Sequence, residues 1–255
     1  MLLGVTLVAN GLELGYPFEP CITNLSKCCD AVYVSTDSRN KDSTLYVLRR
    51  LSKELGNVSI VESEWDWSIN NGADLAKRIN ICLEKGVREG FKEVLYVQAD
   101  EIVDFSEISS LRKVLGITKC NVVLERTYFW KNLSTINRTW TLPMCRLCPL
   151  TSKVRVVGDG MFIEADPSFQ ALAIPPDIAR IYHYSRVGST TAIAKRLNNL
   201  DSLFHEREEY LDLKDYEFGK NNNFESGANN PLLDLYFGSH PDGVHDFYEG
   251  QKNKT

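Results

Sequence analysis

The stretch VLYVQADEIV, Val94 to Val103, runs apolar and then presents two adjacent acids, Asp100 and Glu101. Two hard oxygen donors at a strand end suit Mg²⁺ or Mn²⁺, which bind through one or two carboxylates plus substrate phosphates. The same pair also reads as solvated acids opening a turn. His183, in IYHYSRVG, follows another apolar run; imidazole ligates Mn²⁺-like ions or donates to phosphate, and it also suits a structural place among aromatics. Asp159 lies between two glycines in VVGDGMF. The backbone can turn sharply there, so its carboxylate is either a general base facing a crevice or the Asp of an ordinary Asp-Gly hairpin. Asn71-Gly72 opens a helical pattern through Lys77 and Arg78, which makes an anion site or a plain cap. Trp65-Asp66-Trp67 offers faces to a base or sugar, or closes an edge of the core. Cys145-x-x-Cys148 has no second ligand pair and follows no βαβ start, so neither zinc nor redox chemistry is expected there.

The elements that must position these groups alternate. GVTLVA (Gly4 to Ala9), AVYVST (Ala31 to Thr36), VSIVE (Val58 to Glu62), the run from Val94 and CNVVLE (Cys120 to Glu125) read as buried strands. Between them, Leu45, Leu48, Leu51 and Leu55 share one helical face, with Asp42 or Ser43 to cap and Gly56 to stop the helix. Leu75, Ala76, Ile79, Cys82 and Leu83 share another, with Gly86 expected at its end, and SEISSLRKVLG makes a short helix. Strands separated by helices call for βαβ units, an α/β class and a mostly parallel sheet. In such a sheet the ligand site lies off the carboxyl ends of the strands. Asp37, Asp100 and Glu101 all fall there.

Past residue 126 the pattern loosens. KVRVVGDGMFIEA predicts a hairpin, IARIYHY a strand, and TTAIAKRLNNLDSLFHERE a helix with Ile193, Leu197, Leu200 and Phe204 inward. The sequence divides into residues 1–125, 126–215, and a tail over 216–255 expected to hold little regular structure. The chain has 255 residues, 43% of them apolar, and a net charge near −5. This suffices for one sizeable core and lacks the basic excess of a nucleic-acid binder. No apolar run is long enough to span a membrane. Seven irregularly spaced cysteines and an N-terminus that reads as a core strand rather than a signal peptide point to a reducing, cytoplasmic setting.

Taken in order, GYPFEPCI, DST, WDW with NGADLAKRIN, YVQADE, VVGDG and IYHYSRVG resemble the family 2 glycosyltransferases of the GT-A fold. The likeness runs over roughly residues 4 to 210 and is nearest a bacterial and viral subgroup with a YLQADE segment. The resemblance implies a single Rossmann-like GT-A domain, with residues 1–125 as its nucleotide-sugar half and 126–215 as its acceptor side. It implies inverting transfer of a sugar from a nucleotide-sugar donor such as a UDP-sugar to a glycan, lipid or protein acceptor, assisted by Mn²⁺ or Mg²⁺. On that likeness Asp100 and His183 are the metal ligands. Val8, Ala9, Asn10, Asp37, Gly72, Lys77, Asn80, Gln98 and Ala99 hold the donor. Asp159 is the base, with Glu101 second to it. Gln98 stands where the family's DxD-like motif has its first acid, so fewer charges surround a metal. Two other readings stay open: a nucleotidyltransferase, against which VANGLELGYP has no Lys or Arg, and a sugar-nucleotide or partner-binding module without chemistry.

Overall fold

The run LLGVTLV forms β1 (Leu2–Val8) and is buried at every position, as a strand covered on both faces must be. A computed structural model of the chain describes residues 1–69, 72–115, 119–204 and 232–252. After β1 come α1 (Phe18–Cys28), β2 (Ala31–Asp37), α2 (Thr44–Leu55), β3 (Val58–Ser63), α3 (Ala73–Arg88), β4 (Glu93–Tyr96), the short β5 (Glu101–Val103) and α4 (Phe105–Leu115). The strands β3, β2, β1 and β4 lie side by side, all parallel. Period-two alternation sorts their side chains. Leu2, Val8, Val32 and Val34 join Phe18, Ile22, Leu48 and Ile108 of α1, α2 and α4 on one face. Leu3, Val5, Tyr33 and Tyr96 meet Ala76, Ile79 and Leu83 of α3 on the other.

The second half is more ordered than its sequence suggests. It holds β6 (Asn121–Lys131), β7 (Thr135–Asn137), β8 (Met144–Pro149), β9 (Arg155–Val157), β10 (Phe162–Glu164), β11 (Ala171–Ile174), β12 (Arg180–Val187), α5 (Thr190–Phe204), β13 (Leu233–Leu235) and α6 (Val244–Lys252). The sheet continues β4-β8-β6-β7-β13, with β11 and β12 also on β6 and β5 on β12. The pairings of β8 with β4 and β6, of β7 with β6 and β13, and of β5 with β12 are antiparallel. The large central sheet is therefore mixed, with its parallel pairings confined to β1–β4 and to β11 and β12 on β6. The boundary expected at residue 125 falls inside β6. The hairpin expected around Gly158-Asp159-Gly160 is present as β9 and β10.

Two expectations need correction. Part of the segment expected to hold little regular structure forms β13 and α6, and Val244 and Tyr248 are buried in the main core; residues 216–231 lie outside the described residues. The helix α1, for which no element was expected, begins at Phe18 inside GYPFEPCI, with Pro17 at its N-cap and Pro20 in its first turn, where proline is tolerated. Gly86 does not end α3, which runs on to Arg88. A Cβ at Gly86 would stand 2.4 Å from Leu3 Cδ2 and 3.1 Å from Leu150 Cδ2, so glycine is there to let the helix approach β1. Gly86→Ala should therefore lower stability by about 1–2 kcal/mol in urea denaturation, overpacking outweighing the gain in helix propensity.

Candidate active site

Where β1 and β4 end, the chain opens a cleft of about 390 Å³ lined by both halves of the sequence. Val8 and Ala9 form one edge, and Gln98, Ala99 and Asp100 another. Trp65 and Trp67 follow β3, with ring centroids 5.4 Å apart. Asp159 and Met161 come from the β9–β10 turn, and His183, Ser185 and Arg186 from β12. A register shift in β12 between His183 and Arg186 turns the consecutive Ser185 and Arg186 to the same cavity, as a β-bulge does.

The QADE turn is set from inside. Glu101 N donates to the Gln98 carbonyl at 3.0 Å, and Gln98 N donates to Glu101 Oε2 at 3.0 Å. Glu101 Oε1 faces Arg146 Nη2 at 2.8 Å and Arg126 Nη2 at 2.9 Å. Burial alone would raise this carboxyl, but the Arg146 and Arg126 charges outweigh burial and bring it from 4.5 down to about 2. Glu101 is thus wholly buried and bound to two cations, and it cannot take a proton from an acceptor; its expected role as second base is withdrawn. Arg146 Nη1 also donates to the Met161 carbonyl at 2.8 Å, and the Tyr96 hydroxyl donates to the Gly160 carbonyl. These bonds hold the turn carrying Asp159 against the turn carrying Asp100.

Asp100 lines the cleft. Burial and the neighbouring Glu101 charge raise its carboxyl to about 6, against Arg126 and Arg196. His183 Nδ1 is 3.9 Å from Asp100 Oδ1 and 3.9 Å from Glu101 Oε1. Burial, followed by the Arg126 charge, holds its imidazole well below 6.5; Glu101 opposes and Arg186 assists. A resident Mn²⁺ or Mg²⁺ would require anionic oxygens. Asp100 offers one, Glu101 is engaged by arginines, Gln98 is neutral, and three guanidiniums, Arg126, Arg186 and Arg146, bear on His183. Among the described residues no group of three or more His, Cys, Asp or Glu is placed to hold a metal. The donor set does not fit the divalent centre expected at Asp100 and His183.

Several expected donor-binding residues support the cleft from outside its lining. Asp37 Oδ2 accepts from Trp67 Nε1 at 2.7 Å, and Oδ1 accepts from the backbone N–H of Arg39 and Trp65 at 3.0 and 3.4 Å. Burial opposes its ionisation, yet these bonds and the Arg39 charge keep its carboxyl below the ordinary 3.8. Asp37 therefore fixes the tryptophan loop, a different task from the nucleoside contact expected of it. Asn10, at φ 49°, exchanges bonds with Asn40 and Lys41. Asn80 exchanges two with the Val156 backbone and anchors β9. Gly72 precedes α3 at φ 64°, and Lys77 is exposed on it; neither lines the cleft. Asn71 and the side chains of Trp140, Leu200 and Phe204 lie outside what is described. Of the other aromatics after residue 126, Tyr128 lines the cleft and bonds Ser185 Oγ at 2.7 Å, while Phe129 is core, stacked on Tyr184.

The sequence reading passed over the arginines. Arg196, 1% exposed, donates to the carbonyls of Leu14, Gly15, Tyr184, Ser185 and Val187, tying the loop after β1 to β12. Arg126 and Arg146 stand inside buried strands, and Arg186 near the end of another. A cation inside an apolar run must be paired, and that was the signal available.

No protein-family model matches the chain, and no curated protein sequence matches it. Among solved structures it is similar to S. aureus TarS 1-349 in complex with UDP, at 13% identity over 78% of this chain and 64% of that one, TM-score 0.48. TarS 1-349 in complex with UDP-GlcNAc gives 12%, 78%, 65% and 0.49. A putative glucose-1-phosphate thymidylyltransferase from Bacillus anthracis, in complex with a sucrose, gives 11%, 76%, 75% and 0.38. The chain spans 64% of the length of the TarS chain solved with UDP. Likeness of this degree fixes neither substrate nor activity. Among the described residues no helix is long and apolar enough to cross a membrane.

Glu101 has its carboxyl lowered, so its stabilising effect is full above its ordinary 4.5 and fades as pH falls toward about 2. Glu101→Gln should cost about 3 kcal/mol at pH 7, and the gap between it and the unaltered protein should close below pH 4.5. Chemical denaturation at several pH values measures both.

Proposed function

We propose that this protein is a glycosyltransferase, moving a sugar from a nucleoside-diphosphate-sugar donor to an acceptor hydroxyl with inversion at the anomeric carbon. The observation that supports this most is a single cleft at the carboxyl ends of β1 and β4. It combines indole faces, a floor with Arg126, Arg186 and Arg196, and a carboxylate on the β9–β10 turn. Nucleotide sites in open α/β sheets lie at this end.

In this reading the base rests by Val8, Ala9 and the exposed face of Trp67. The diphosphate lies over Gln98 to Asp100 and His183, within reach of the guanidiniums. The sugar projects toward the β9–β10 turn. Asp159 takes the proton of the acceptor hydroxyl while that oxygen bonds to the anomeric carbon. The bond from that carbon to the diphosphate oxygen breaks, and the electron pair leaves with the nucleoside diphosphate. Fixed positive charge beside the departing oxygen stabilises it in a site shielded from water. The acceptor is a hydroxyl-bearing glycan, lipid or protein entering past Tyr128.

Asp159 Oδ1 accepts from Met161 N at 3.1 Å, which Asn at this position can preserve. Asp159→Asn should lower turnover on the order of a thousandfold while nucleoside diphosphate binding stays unchanged. Release of nucleoside diphosphate from a panel of nucleotide-sugars and acceptors is the assay, and turnover at the unaltered rate in this variant would refute the assignment. Trp67→Ala should weaken binding of the diphosphate about tenfold through the lost ring face, as measured by calorimetry.

A further inference from the structure

The buried polar atoms left without a partner fall into two sets. In residues that line the cleft they are Trp65 Nε1, Arg126 Nε and His183 Nδ1. All are nitrogens; the first two can only donate, and the imidazole donates in its Nδ1–H tautomer. Outside the lining the orphans among the described residues are of both kinds, nitrogens on Asn137, Arg146 and Arg180 and oxygens on Asn24, Ser35, Asn121 and Tyr248. Among the described residues the unpartnered side-chain atoms of the lining are thus nitrogens alone, in want of acceptors. A cation would bring the opposite of what is missing, whereas an oxygen-rich anion would bring what these groups need.

Charge leads the same way. Arg126, Arg186 and Arg196 line the cleft against Asp100 and Asp159, while Glu101 behind them is shared by Arg126 and by Arg146, which brings a fourth positive charge from outside the lining. With every acid ionised, the lining remains net positive. Gln98, also in the lining, carries an amide N–H₂ that can donate straight to a phosphate oxygen, where a carboxylate would need a metal in between. The β12 bulge brings Ser185 and Arg186 to the same wall as His183.

The geometry points to a nucleoside diphosphate held directly on nitrogen donors, with Arg126 and Arg186 in the place of a divalent cation and His183 and Gln98 completing the set. This rests on the nucleotide-sugar reading above and adds that donor binding is independent of Mn²⁺ and Mg²⁺. Guanidiniums suit the task, since their planar fork meets phosphate oxygens in pairs.

The test is calorimetric titration of the full chain with the diphosphates of uridine, guanosine, cytidine, thymidine and adenosine, once in EDTA and once in MnCl₂. Mn²⁺ alone is followed in parallel through the paramagnetic resonance of the free aqua ion. At least one nucleotide is expected to bind in EDTA with a Kd within about threefold of that in Mn²⁺, and the protein alone should leave the free-ion signal undiminished. Binding that needs Mn²⁺, or tightens about tenfold or more in it, overturns the metal-independent site and leaves the glycosyltransferase reading in place. Failure of all five to bind in both buffers overturns the two together. Arg186→Ala should weaken binding in EDTA on the order of tenfold to a hundredfold, with circular dichroism to confirm folding; unchanged affinity in the folded variant is contrary to the proposal. If that variant does not fold, Arg186→Lys keeps the charge and loses the fork. Affinity several-fold weaker on the order of the loss of one paired contact supports the assignment, and unchanged affinity overturns it.

Discussion

Glu101 lies out of reach of solvent, with Arg146 and Arg126 closing on one of its oxygens at 2.8 and 2.9 Å and the Gln98 N–H on the other at 3.0 Å. A buried ion pair gives little net stability over an apolar replacement, but removing one member leaves an uncompensated charge and costs several kcal/mol. The strength of such a cluster is its demand for one geometry. Arg126 comes from β6, Arg146 from β8, and Glu101 from the start of β5, so three strands must come into register before the charges are satisfied. Arg146 then extends to the Met161 carbonyl and brings the Asp159 turn to the same place.

The same device recurs at the rim. Arg196 collects carbonyls from the loop after β1 and from β12, and Asp37 collects N–H groups from the tryptophan loop. Loops carry unpaired backbone groups, and burying them requires partners. Here charged side chains supply the partners. The cleft is therefore rigid where it is made of turns.

The parallel half was legible because its signal is periodic and local: β1 to β4 each read as an apolar run, and α2 and α3 as single apolar faces. That Asp100, His183 and Asp159 line the cleft was also legible, since ionisable groups at strand ends and on a glycine turn stand out. What was hidden depends on tertiary pairing. Asp37 and Glu101 look like site acids by position, and only their partners reveal them as supports. The extension of β6 through Arg126 and Thr127 defies an apolar template because Arg126 and Tyr128 face the cleft. β8 was obscured by Cys145 and Cys148, which drew attention as a motif. Gly86 looked like a helix end because the chain writes a close helix–strand contact and a C-cap with the same residue.

The C-terminal segment closes the back of β12. Val244 and Tyr248 enter the core beside Phe18 and Ile22, His240 Nδ1 bonds the Tyr184 hydroxyl at 2.8 Å, and Asn24 Nδ2 donates to the Asp242 carbonyl at 3.0 Å. During synthesis the strands β1 to β4 can pair before the second half of the chain is made, since all four lie within residues 2–96. The strand bearing His183 and Arg186 must wait, its rear aromatic face bare, until some sixty further residues have been translated and α6 folds back onto the first helix. A nascent chain therefore exposes that face longest, and this is where a chaperone would have most to cover.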